Sequence, residues 1–378
     1  MKIGIDCSPV LYKKTGVGNY VHNLLLNLAK IDKDNMYILF AQSLRHLDKK
    51  KITEYNFEHK KVVGLRIPKP FLDLCWYKLR FPPIEFFTNE VDIFHSNFYS
   101  PSMKRGKSII TIYDMSFYVY PELQTKAVQK FRSKVLKSCD SASKVITISN
   151  FSKKEILKYI NVPEEKIEVI YPGIDLHKHK LDISENNILK EYSLPKDYIL
   201  FVGTIEPRKN LENLVKAFNL LINNKKYKKK YDLVIVGKLG WKYEGFLKTL
   251  ETLGIKDKVK LLGYIPNDEL PAIYKHASVF VYPSIYEGFG LPVLEAMVYG
   301  TPVITSNVSS LPEATGDAAL LVNPHDEKQI AEGMYKVLSD PELKRQLIKR
   351  GRKQVKKFSW LETARRTLKL YEEVYNEK

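Results

Sequence analysis

The first half of the chain alternates short apolar segments with segments that are apolar on one side only. Between the apolar segments, hydrophobic residues recur at the spacing typical of amphipathic helices. The predicted strands are Lys2–Asp6, Met36–Ala41, Val91–Phe94, Ser108–Tyr113 and Lys144–Ser149, and the predicted helices are Asn19–Lys30, Phe131–Cys139 and Lys153–Tyr159. Near-continuous apolar strands separated by helices predict a parallel sheet that is covered on both faces.

The same alternation begins again after a turn-rich stretch, Tyr171–Ser184. Its predicted strands are Tyr198–Gly203, Asp232–Gly237, Lys258–Tyr264, Val279–Ser284, Pro302–Ser306 and Ala318–Val322. We therefore expect one domain over residues 1–175 and a second over residues 176–359. Two doubly wound halves predict a ligand cleft between them, at the carboxyl ends of their strands.

Composition agrees with this two-domain interpretation. The chain has 378 residues, more than one ordinary core holds, with 44% hydrophobic and 28% charged residues. Its net charge of +18 favours anionic partners such as nucleotide phosphates, nucleic acid or an acidic membrane surface. A lysine-rich solubilising surface explains the charge equally well. Because the basic residues are scattered and no known nucleic-acid module is visible, we expect no nucleic-acid partner.

Neither a metal centre nor a membrane span is predicted. Cys7, Cys75 and Cys139 are widely separated, so the sequence indicates neither a zinc site nor a disulfide framework. Asp6 interrupts the apolar opening segment, which therefore does not resemble a targeting signal. No apolar run approaches the length of a membrane span. We expect a cytoplasmic protein whose contact with the inner membrane face, where it occurs, is peripheral.

The segment Tyr286–Met297, YEGFGLPVLEAM, is the most informative part of the chain. It follows the predicted strand Val279–Ser284 directly. Pro292 is placed to begin a short helix and Gly300 to end it. The segment therefore predicts a strand, a loop and a helix in succession, which is the arrangement that carries ligands at the edge of a parallel sheet.

Two glutamates bracket this loop, and we expect Glu287 on the loop and Glu295 in the first turn of the helix. Gly288 and Gly290 allow the backbone to approach a ligand closely, and the N–H groups at a helix start favour phosphate. Carboxylates beside phosphate can accept hydrogen bonds from sugar hydroxyls, so a nucleotide sugar fits this pattern. Two plainer explanations stay open: Glu295 complements the helix dipole, and Glu287 is a solvated loop residue.

The string EGFGLPVLE resembles the Glu-x7-Glu signature of retaining nucleotide-sugar glycosyltransferases of family GT4. The resemblance implies the GT-B fold: α/β, with two doubly wound Rossmann-like domains facing a central cleft, and a C-terminal helix, residues 360–378, crossing back to the first domain. It also implies that Glu287 is a catalytic residue that contacts the transferred sugar, and that Glu295 contacts the ribose. The other donor-binding residues that it implies here are Gly288, Phe289, Gly290 and Leu291.

A second segment, GTIEPRKN, resembles the family loop that carries the cations for the donor phosphates. Arg208 offers a planar fork to phosphate oxygens and Lys209 a compact charge. Gly203 and Thr204 begin this loop, and the resemblance implies that they bind the donor. Many family members carry arginine where this chain has Thr204. Arg208 and Lys209 must then supply the charge and do the work of a divalent ion, so no metal is expected. Two solvated loop cations are the plainer alternative.

First-domain segments match the family less closely. TGVGNY resembles its glycine-rich loop near the donor diphosphate, which implies donor-binding roles for Gly16 and Gly18, although an ordinary turn explains it too. The histidine with which relatives contact the donor sugar is replaced here by Tyr113. Asp114 is a candidate partner for the acceptor hydroxyl. His95 is a candidate near the sugar, and a structural histidine is an equal alternative.

These resemblances imply a retaining, metal-independent hexosyltransferase of the EC 2.4.1 type, in surface-polysaccharide biosynthesis. It would move mannose or glucose from a nucleotide diphosphate sugar to a hydroxyl of a glycan or lipid-linked saccharide. GDP-mannose is the favoured donor, with UDP- or ADP-sugars as alternatives, and no cofactor is implied. A catalytically silent nucleotide-sugar-binding scaffold and a basic nucleic-acid-binding protein are the rival functions.

One further segment mixes aromatic and basic residues. Pro68–Phe87, PKPFLDLCWYKLRFPPIEFF, carries cations among its apolar residues. An acceptor-side or membrane-interface surface is one explanation. The favoured alternative is an ordinary helix packed on the first domain, ended by two prolines.

Overall fold

The computed structural model describes residues 1–12, 16–125, 128, 131–176, 185–224 and 230–377. The chain divides into two compact units. The first unit contains Met1–Val119, Lys126–Gly173 and Ser359–Lys378, and the second contains Tyr120–Thr125 and Ile174–Phe358. Within the described part of the chain, no helix is both long and apolar enough to cross a membrane.

A seven-stranded parallel sheet forms the centre of the first unit, in the order β3-β2-β1-β4-β5-β6-β7. Its central strands are buried on both faces, as near-continuous apolar sequence requires. The strands are β1 (Lys2–Asp6), β2 (Met36–Gln42), β3 (His59–Leu65), β4 (Ile93–Asn97), β5 (Lys107–Ile112), β6 (Lys144–Thr147) and β7 (Ile167–Val169).

Helices connect and cover these strands. They are α1 (Gly16–Ile31), α2 (Lys50–Thr53), α3 (Lys69–Leu74), α4 (Glu85–Thr88), α5 (Ser116–Val119), α6 (Arg132–Ser141) and α7 (Asn150–Tyr159). A π-helical turn, Cys75–Leu79, continues α3. The long helix α1 begins at Gly16 rather than at the expected Asn19, so that both glycines of TGVGNY lie in its first turn.

The last helix of the chain completes the first unit. The ring of Trp360 packs edge-on against Tyr20 of α1, with 5.6 Å between the ring centroids. Lys107 Nζ donates to the carbonyl of Val374 at 2.8 Å. Gly173 lies so close that a Cβ atom there would stand 2.0 Å from the backbone nitrogen of Trp360. This docking fixes the segment Ser359–Lys378 on the first sheet although its sequence follows the second unit.

A six-stranded parallel sheet, in the order β10-β9-β8-β11-β12-β13, forms the centre of the second unit. Every residue of β8 and of β11 is buried. The strands are β8 (Tyr198–Val202), β9 (Asp232–Val236), β10 (Val259–Gly263), β11 (Val279–Tyr282), β12 (Val303–Ser306) and β13 (Ala319–Val322). Strand order reverses direction between β8 and β11, which is where α/β sheets place their ligands.

The remaining helices cover the second sheet and end the chain. They are α8 (Glu185–Glu191), α9 (Leu211–Ile222), α10 (Glu244–Leu253), α11 (Leu270–His276), α12 (Leu291–Val298), α13 (Leu311–Thr315), α14 (Glu327–Ser339), α15 (Pro341–Gln354) and α16 (Trp360–Asn376). The last of these, α16, is the helix that docks on the first unit.

One segment lies outside the unit in which we expected it. Tyr120–Thr125 falls in the expected first domain, yet it belongs to the second unit. The indole Nε1 of Trp241 donates to the carbonyl of Leu123 at 2.7 Å, and Tyr120 packs edge-on against Tyr286. These contacts hold the segment on the second unit, and a sequence pattern gives no sign of them because the partners lie far along the chain.

Candidate functional site

Two loops of the second unit meet at the carboxyl ends of β8 and β11. These strands pair directly, so the loop after β8 and the loop after β11 are neighbours. The backbone N–H of Ile285 donates to the carbonyl of Arg208 at 2.9 Å. Asn210, in the left-handed conformation with φ of 60°, donates from Nδ2 to the carbonyl of Pro283 at 2.9 Å. The loops that carry the predicted cations and the first predicted glutamate are therefore joined to each other.

Glu287 lies at the centre of this junction and accepts hydrogen bonds from both cations. Arg208 Nη1 is 2.9 Å from Glu287 Oε2, and Lys209 Nζ is 2.5 Å from Glu287 Oε1. The hydroxyl of Tyr282, at the end of β11, donates to the same Oε1 at 2.9 Å. The structure thus brings together Arg208, Lys209 and Glu287, and the plainer explanation of three solvated loop residues is wrong for Lys209 and Glu287, which are buried.

Sequence reasoning missed a fourth charged member of this cluster, Glu206. Its Oε1 lies 2.5 Å from Nε of Arg208, and the residue is buried. Glu206 and Glu287 therefore hold the guanidinium of Arg208 from two sides. Two cations and two carboxylates give a cluster with no net formal charge. The signal was present in GTIEPRKN, where a carboxylate two positions before the arginine suits a fork-shaped ion pair.

Burial and charge act in opposite directions on Glu287. Burial alone raises the pKa of its carboxyl group, but the charges of Arg208 and Lys209 and the hydrogen bond from Lys209 outweigh it and lower the pKa to about 2. Burial and the neighbouring Arg208 lower the pKa of Lys209, and Glu287 and Glu206 partly restore it. Glu287 is therefore a carboxylate at neutral pH, which suits a hydrogen-bond acceptor and does not suit a proton donor.

The backbone around Glu287 is fixed by two serines. The N–H of Glu287 donates to Ser309 Oγ at 3.2 Å, and Ser310 Oγ donates to the carbonyl of Glu287 at 2.9 Å. Gly290 precedes α12 with φ of 97°, and a Cβ atom there would stand 2.6 Å from Leu311 Cδ2. Only glycine fits this position without strain.

The second predicted glutamate lies further along α12 than expected. The helix begins at Leu291, so Glu295 is in its second turn, and the expectation of a first-turn position is wrong. The start of the helix comes directly after the left-handed Gly290, one residue before Pro292. This position also weakens the plainer explanation that Glu295 complements the helix dipole, because that effect fades beyond the first turn. The hydroxyl of Tyr274 donates to Glu295 Oε2 at 3.0 Å and fixes the carboxylate.

The remaining donor-loop residues have varied surroundings. Gly203 directly follows β8, and a Cβ atom on the neighbouring Gly237 would stand 1.9 Å from the carbonyl oxygen of Gly203. Thr204 is exposed. Phe289 is buried against Phe358, with 5.1 Å between ring centroids. Gly288 is buried, and Leu291 is half-buried at the first position of α12.

The candidate site residues of the first unit make their hydrogen bonds within that unit. His95, on β4, is buried, with Nδ1 at 2.6 Å from the hydroxyl of Tyr371 and Nε2 at 2.7 Å from Oγ1 of Thr111. Burial lowers the pKa of His95 to about 3. Both ring nitrogens therefore make hydrogen bonds within the core. This favours a structural role for His95 over a position near the sugar.

Tyr113 and Asp114 follow β5. The hydroxyl of buried Tyr113 donates to Asn97 Oδ1 at 2.5 Å. Asp114 Oδ1 accepts the backbone N–H of Ser116, the first residue of α5, at 2.9 Å. Gly16 is exposed at the start of α1, and a Cβ atom there would meet nothing within 4 Å. Gly18 is buried in the same turn. Among the described residues, no group of three or more histidine, cysteine or acidic side chains is placed to hold a metal ion.

Comparison with known families agrees with this geometry. The model of the family described as Glycosyl transferases group 1 matches residues 185–354, and the model described as Glycosyltransferase Family 4 matches residues 14–178. The cluster of Glu206, Arg208, Lys209 and Glu287 lies in the first of these matched ranges.

Similar proteins are known from bacteria. O-antigen chain mannosyltransferase B of Escherichia coli is 32% identical, over 98% of this chain and 99% of its own length. O-antigen chain mannosyltransferase RfbU of Salmonella typhimurium is 36% identical, over 58% of this chain and 57% of its own.

Solved structures show the same fold. Sucrose-phosphate synthase from Thermosynechococcus elongatus superposes with a TM-score of 0.74 at 22% identity, over 99% of both chains. The Anabaena protein HepE, solved in complex with UDP and glucose, has a TM-score of 0.72 at 17% identity, over 99% of this chain and 100% of its own. Two Rossmann-like units in these glycosyltransferase structures define the GT-B fold. This chain therefore belongs to the GT4 family of group 1 glycosyltransferases, as a mannosyltransferase-type enzyme with the GT-B fold.

Proposed function

We propose that this glycosyltransferase moves a mannosyl group, with retention of configuration, from GDP-mannose to a hydroxyl of a growing glycan or lipid-linked saccharide. The observation that carries the proposal is the end-to-end similarity to an O-antigen chain mannosyltransferase. The proposed acceptor follows from the same relative, whose name assigns it to O-antigen chains. UDP- and ADP-sugars are the alternative donors.

The cluster at the ends of β8 and β11 is suited to a departing nucleotide diphosphate. Arg208 and Lys209 present N–H donors on adjacent residues, and Glu206 and Glu287 hold them in place. Negative charge on the leaving oxygen grows during bond cleavage, so donors fixed beforehand stabilise the transition state more than the bound substrate. We expect phosphate oxygens to accept hydrogen bonds from Arg208 and Lys209 while the two carboxylates keep these cations in place. Arg208 and Lys209 are then the catalytic residues for leaving-group departure.

Glu287 has a different part in this scheme. With its pKa lowered to about 2 it stays ionised at neutral pH, so it does not protonate the leaving group. It orients both cations and accepts hydrogen bonds from hydroxyls of the transferred sugar. The convergence of two cations and a tyrosine hydroxyl on this carboxylate supports a role for it where the phosphate and sugar parts of the donor join. No step in the scheme uses a metal ion.

Glu295 is the proposed partner of the ribose. It lies on α12, one helical turn beyond the loop that contains Glu287, and Tyr274 holds its carboxylate. A charged acceptor for a ribose hydroxyl is worth about 1.5–3 kcal/mol of binding free energy. This separation of roles predicts that the affinity for GDP without its sugar depends on Glu295 more than on Glu287.

A donor panel tests the proposal. Release of nucleotide diphosphate is measured with GDP-mannose, UDP-glucose and ADP-glucose, each with a mannose-terminated acceptor, and NMR of the product gives the anomeric configuration. We expect turnover with GDP-mannose to exceed that with the other donors, and an α-linked product from the α-configured donor. A preference for a UDP- or ADP-sugar would overturn the donor assignment, and an inverted product would overturn the retaining mechanism.

A further inference from the structure

Two aromatic side chains lie on either side of Glu287 in the loop after β11. Tyr286 and Phe289 are both buried. The ring of Tyr286 packs edge-on against Tyr120, with 5.7 Å between the ring centroids, and the ring of Phe289 packs edge-on against Phe358, with 5.1 Å between the centroids. We call these four rings the aromatic clamp. Edge-on packing is a favoured arrangement of aromatic rings, so the loop is held on both sides of its glutamate.

The two outer rings of the clamp belong to residues at which the chain passes from one unit to the other. Tyr120 follows Val119 of the first unit, and Phe358 precedes Ser359 of the first unit. At a third such passage, the N–H of Ile174 donates to the carbonyl of Phe358 at 3.3 Å. The clamp therefore joins the loop after β11 to three points at which the chain enters or leaves the second unit.

Tyr120 is itself held in place by the loop after β9. The segment that Tyr120 begins is fixed by Trp241, whose Nε1 donates to the carbonyl of Leu123 at 2.7 Å. The loop of Trp241 is also joined to the loop after β8, because the N–H of Gly240 donates to the carbonyl of Ile205 at 2.9 Å. Tyr120 therefore lies on the same connected loops that carry the charged cluster.

The backbone of Tyr286 takes part in the charged cluster. Arg208 Nη1 donates to the carbonyl of Tyr286 at 3.1 Å and to Glu287 Oε2 at 2.9 Å. A rotation of the peptide between Tyr286 and Glu287 would move both of these acceptors together. Because a displacement of about 1 Å at a catalytic group can lower the rate on the order of 100-fold, the rings that fix this peptide affect how well Arg208 is placed.

We propose that Tyr120 and Phe358 are positioning residues for the transfer reaction, whose rings hold the loop of Glu287 so that Arg208 is oriented towards the leaving phosphate. This inference rests on the proposed roles of Arg208 and Glu287. The outer rings act through the loop and not by contact with the donor. Loss of a ring should therefore lower kcat, because misplaced cations stabilise the transition state less, whereas KM should change little.

Steady-state kinetics of Tyr120→Leu and Phe358→Leu with the preferred donor tests this inference. We expect kcat to fall about 10- to 100-fold in each variant, with KM within about threefold of the wild-type value. Tyr120→Phe keeps the ring and should keep kcat near that of the wild type. Wild-type kcat in folded Tyr120→Leu would overturn the proposal, and so would a loss in Tyr120→Phe as large as that in Tyr120→Leu.

A phenylalanine of equal burial serves as the matched control. Phe57 and Phe358 are each 6% exposed, and Phe57 packs on Tyr37 in the first unit, with 4.0 Å between the ring centroids. Phe57→Leu should lower the stability to urea about as much as Phe358→Leu does, and should leave kcat unchanged. An equal loss of kcat in both variants would show general destabilisation and contradict a positioning role for Phe358.

A double-variant cycle separates this inference from the proposed function. In the Arg208→Ala background, Tyr120→Leu should lower kcat by less than about threefold, because the group that the clamp orients is absent. Losses that multiply in full would overturn the positioning role. Wild-type kcat in Arg208→Ala would overturn the proposed function itself. A slow Arg208→Ala variant beside a Tyr120→Leu variant of wild-type rate would overturn this inference alone.

Discussion

The two units treat the polar residues at the ends of their strands in opposite ways. In the first unit, His95 and Tyr113 are paired with Tyr371, Thr111 and Asn97 inside the same unit. In the second unit, four charged side chains converge on one point and two carboxylates hold two cations ready. Similar sheets thus carry a neutral hydrogen-bonded core in one case and a buried ionic cluster in the other.

This difference indicates which unit can act on a charged substrate. Neutral groups whose hydrogen bonds are complete stabilise a fold and respond little to an incoming anion. Buried cations that are held by carboxylates can also donate to an incoming phosphate, because an ammonium group has three N–H donors and a guanidinium five. We therefore expect the second unit to lose activity when its cluster is altered, and the first unit to lose stability when its core is altered.

The largest expected effect is on turnover. In Arg208→Ala/Lys209→Ala, kcat with the preferred donor should fall on the order of 100- to 1000-fold or more, because preorganised donors act on charge that develops in the transition state. Steady-state kinetics measures kcat and KM for each variant, with circular dichroism as the check on folding. Lys248→Ala removes an exposed cation of the same unit as the control. A folded double variant with wild-type kcat would remove the catalytic role of this loop.

The next effect concerns stability in acid. The pKa of Glu287 is lowered from 4.5 to about 2, so its charge contributes stability above pH 4.5 that is lost as pH falls from 4.5 towards 2. The shift corresponds to roughly 3 kcal/mol, and the burial cost to Lys209 offsets part of it. Glu287→Gln should lower the free energy of unfolding at pH 7. It should also make this free energy fall less steeply between pH 4.5 and pH 2 than in the wild type. Urea unfolding as a function of pH measures both, and an unchanged slope in the variant would contradict the assignment.

A smaller effect separates the two glutamates. Glu295→Ala should weaken binding of bare GDP by about 1.5–3 kcal/mol, and Glu287→Ala should weaken it less. Tyr274→Phe, which removes the hydroxyl that donates to Glu295 but keeps the carboxylate, should have an intermediate effect. Calorimetric titration with GDP gives all three affinities. If Glu287→Ala is the weaker binder, the proposed ribose and sugar roles are exchanged.

His95 tests the first unit directly. Burial lowers its pKa from 6.5 to about 3, so the folded state stays neutral while the unfolded chain gains a proton, and stability is lost as pH falls from 6.5 towards 3. His95→Gln should reduce that slope and lower stability by about 1–3 kcal/mol through its unmatched partners. The kcat of His95→Gln should stay near the wild-type value. A large loss of kcat in a variant that still binds GDP normally would contradict the structural role of His95.

The smallest expected effect is that of chelation. Because the proposed scheme draws the positive charge at the leaving group from Arg208 and Lys209, EDTA should leave activity essentially unchanged. Initial rates with the preferred donor, before and after chelation, measure this. Loss of activity that magnesium or manganese restores would show that the cation pair is insufficient alone.

Much of the architecture could be predicted because its strands are buried on both faces. Continuous apolar sequence marks β8 and β11, and the loops that follow them carry Arg208 and Glu287. The edge strands β3 and β7 were missed, since an edge strand tolerates polar residues such as those of HKKVVGL. Glu206 was missed because its burial depends on the fold. The first-turn position expected for Glu295 was wrong because the helix begins at Leu291.

The partners of His95 could not be predicted at all. Tyr371 lies 276 positions along the chain, and neither residue carries a motif. Hydrogen bonds of this kind follow from the packing of a whole unit, and local patterns contain no information about them.

The packing of α16 on the first unit has a consequence for the order in which the two units fold during synthesis. Residues 1–173 are synthesised early. Helix α16, which packs on Tyr20 and hydrogen-bonds His95, is synthesised only after the second unit. Domains usually fold in the order of synthesis. In this protein we expect the later unit to fold first, while part of the core of the earlier unit stays uncovered until α16 has been synthesised.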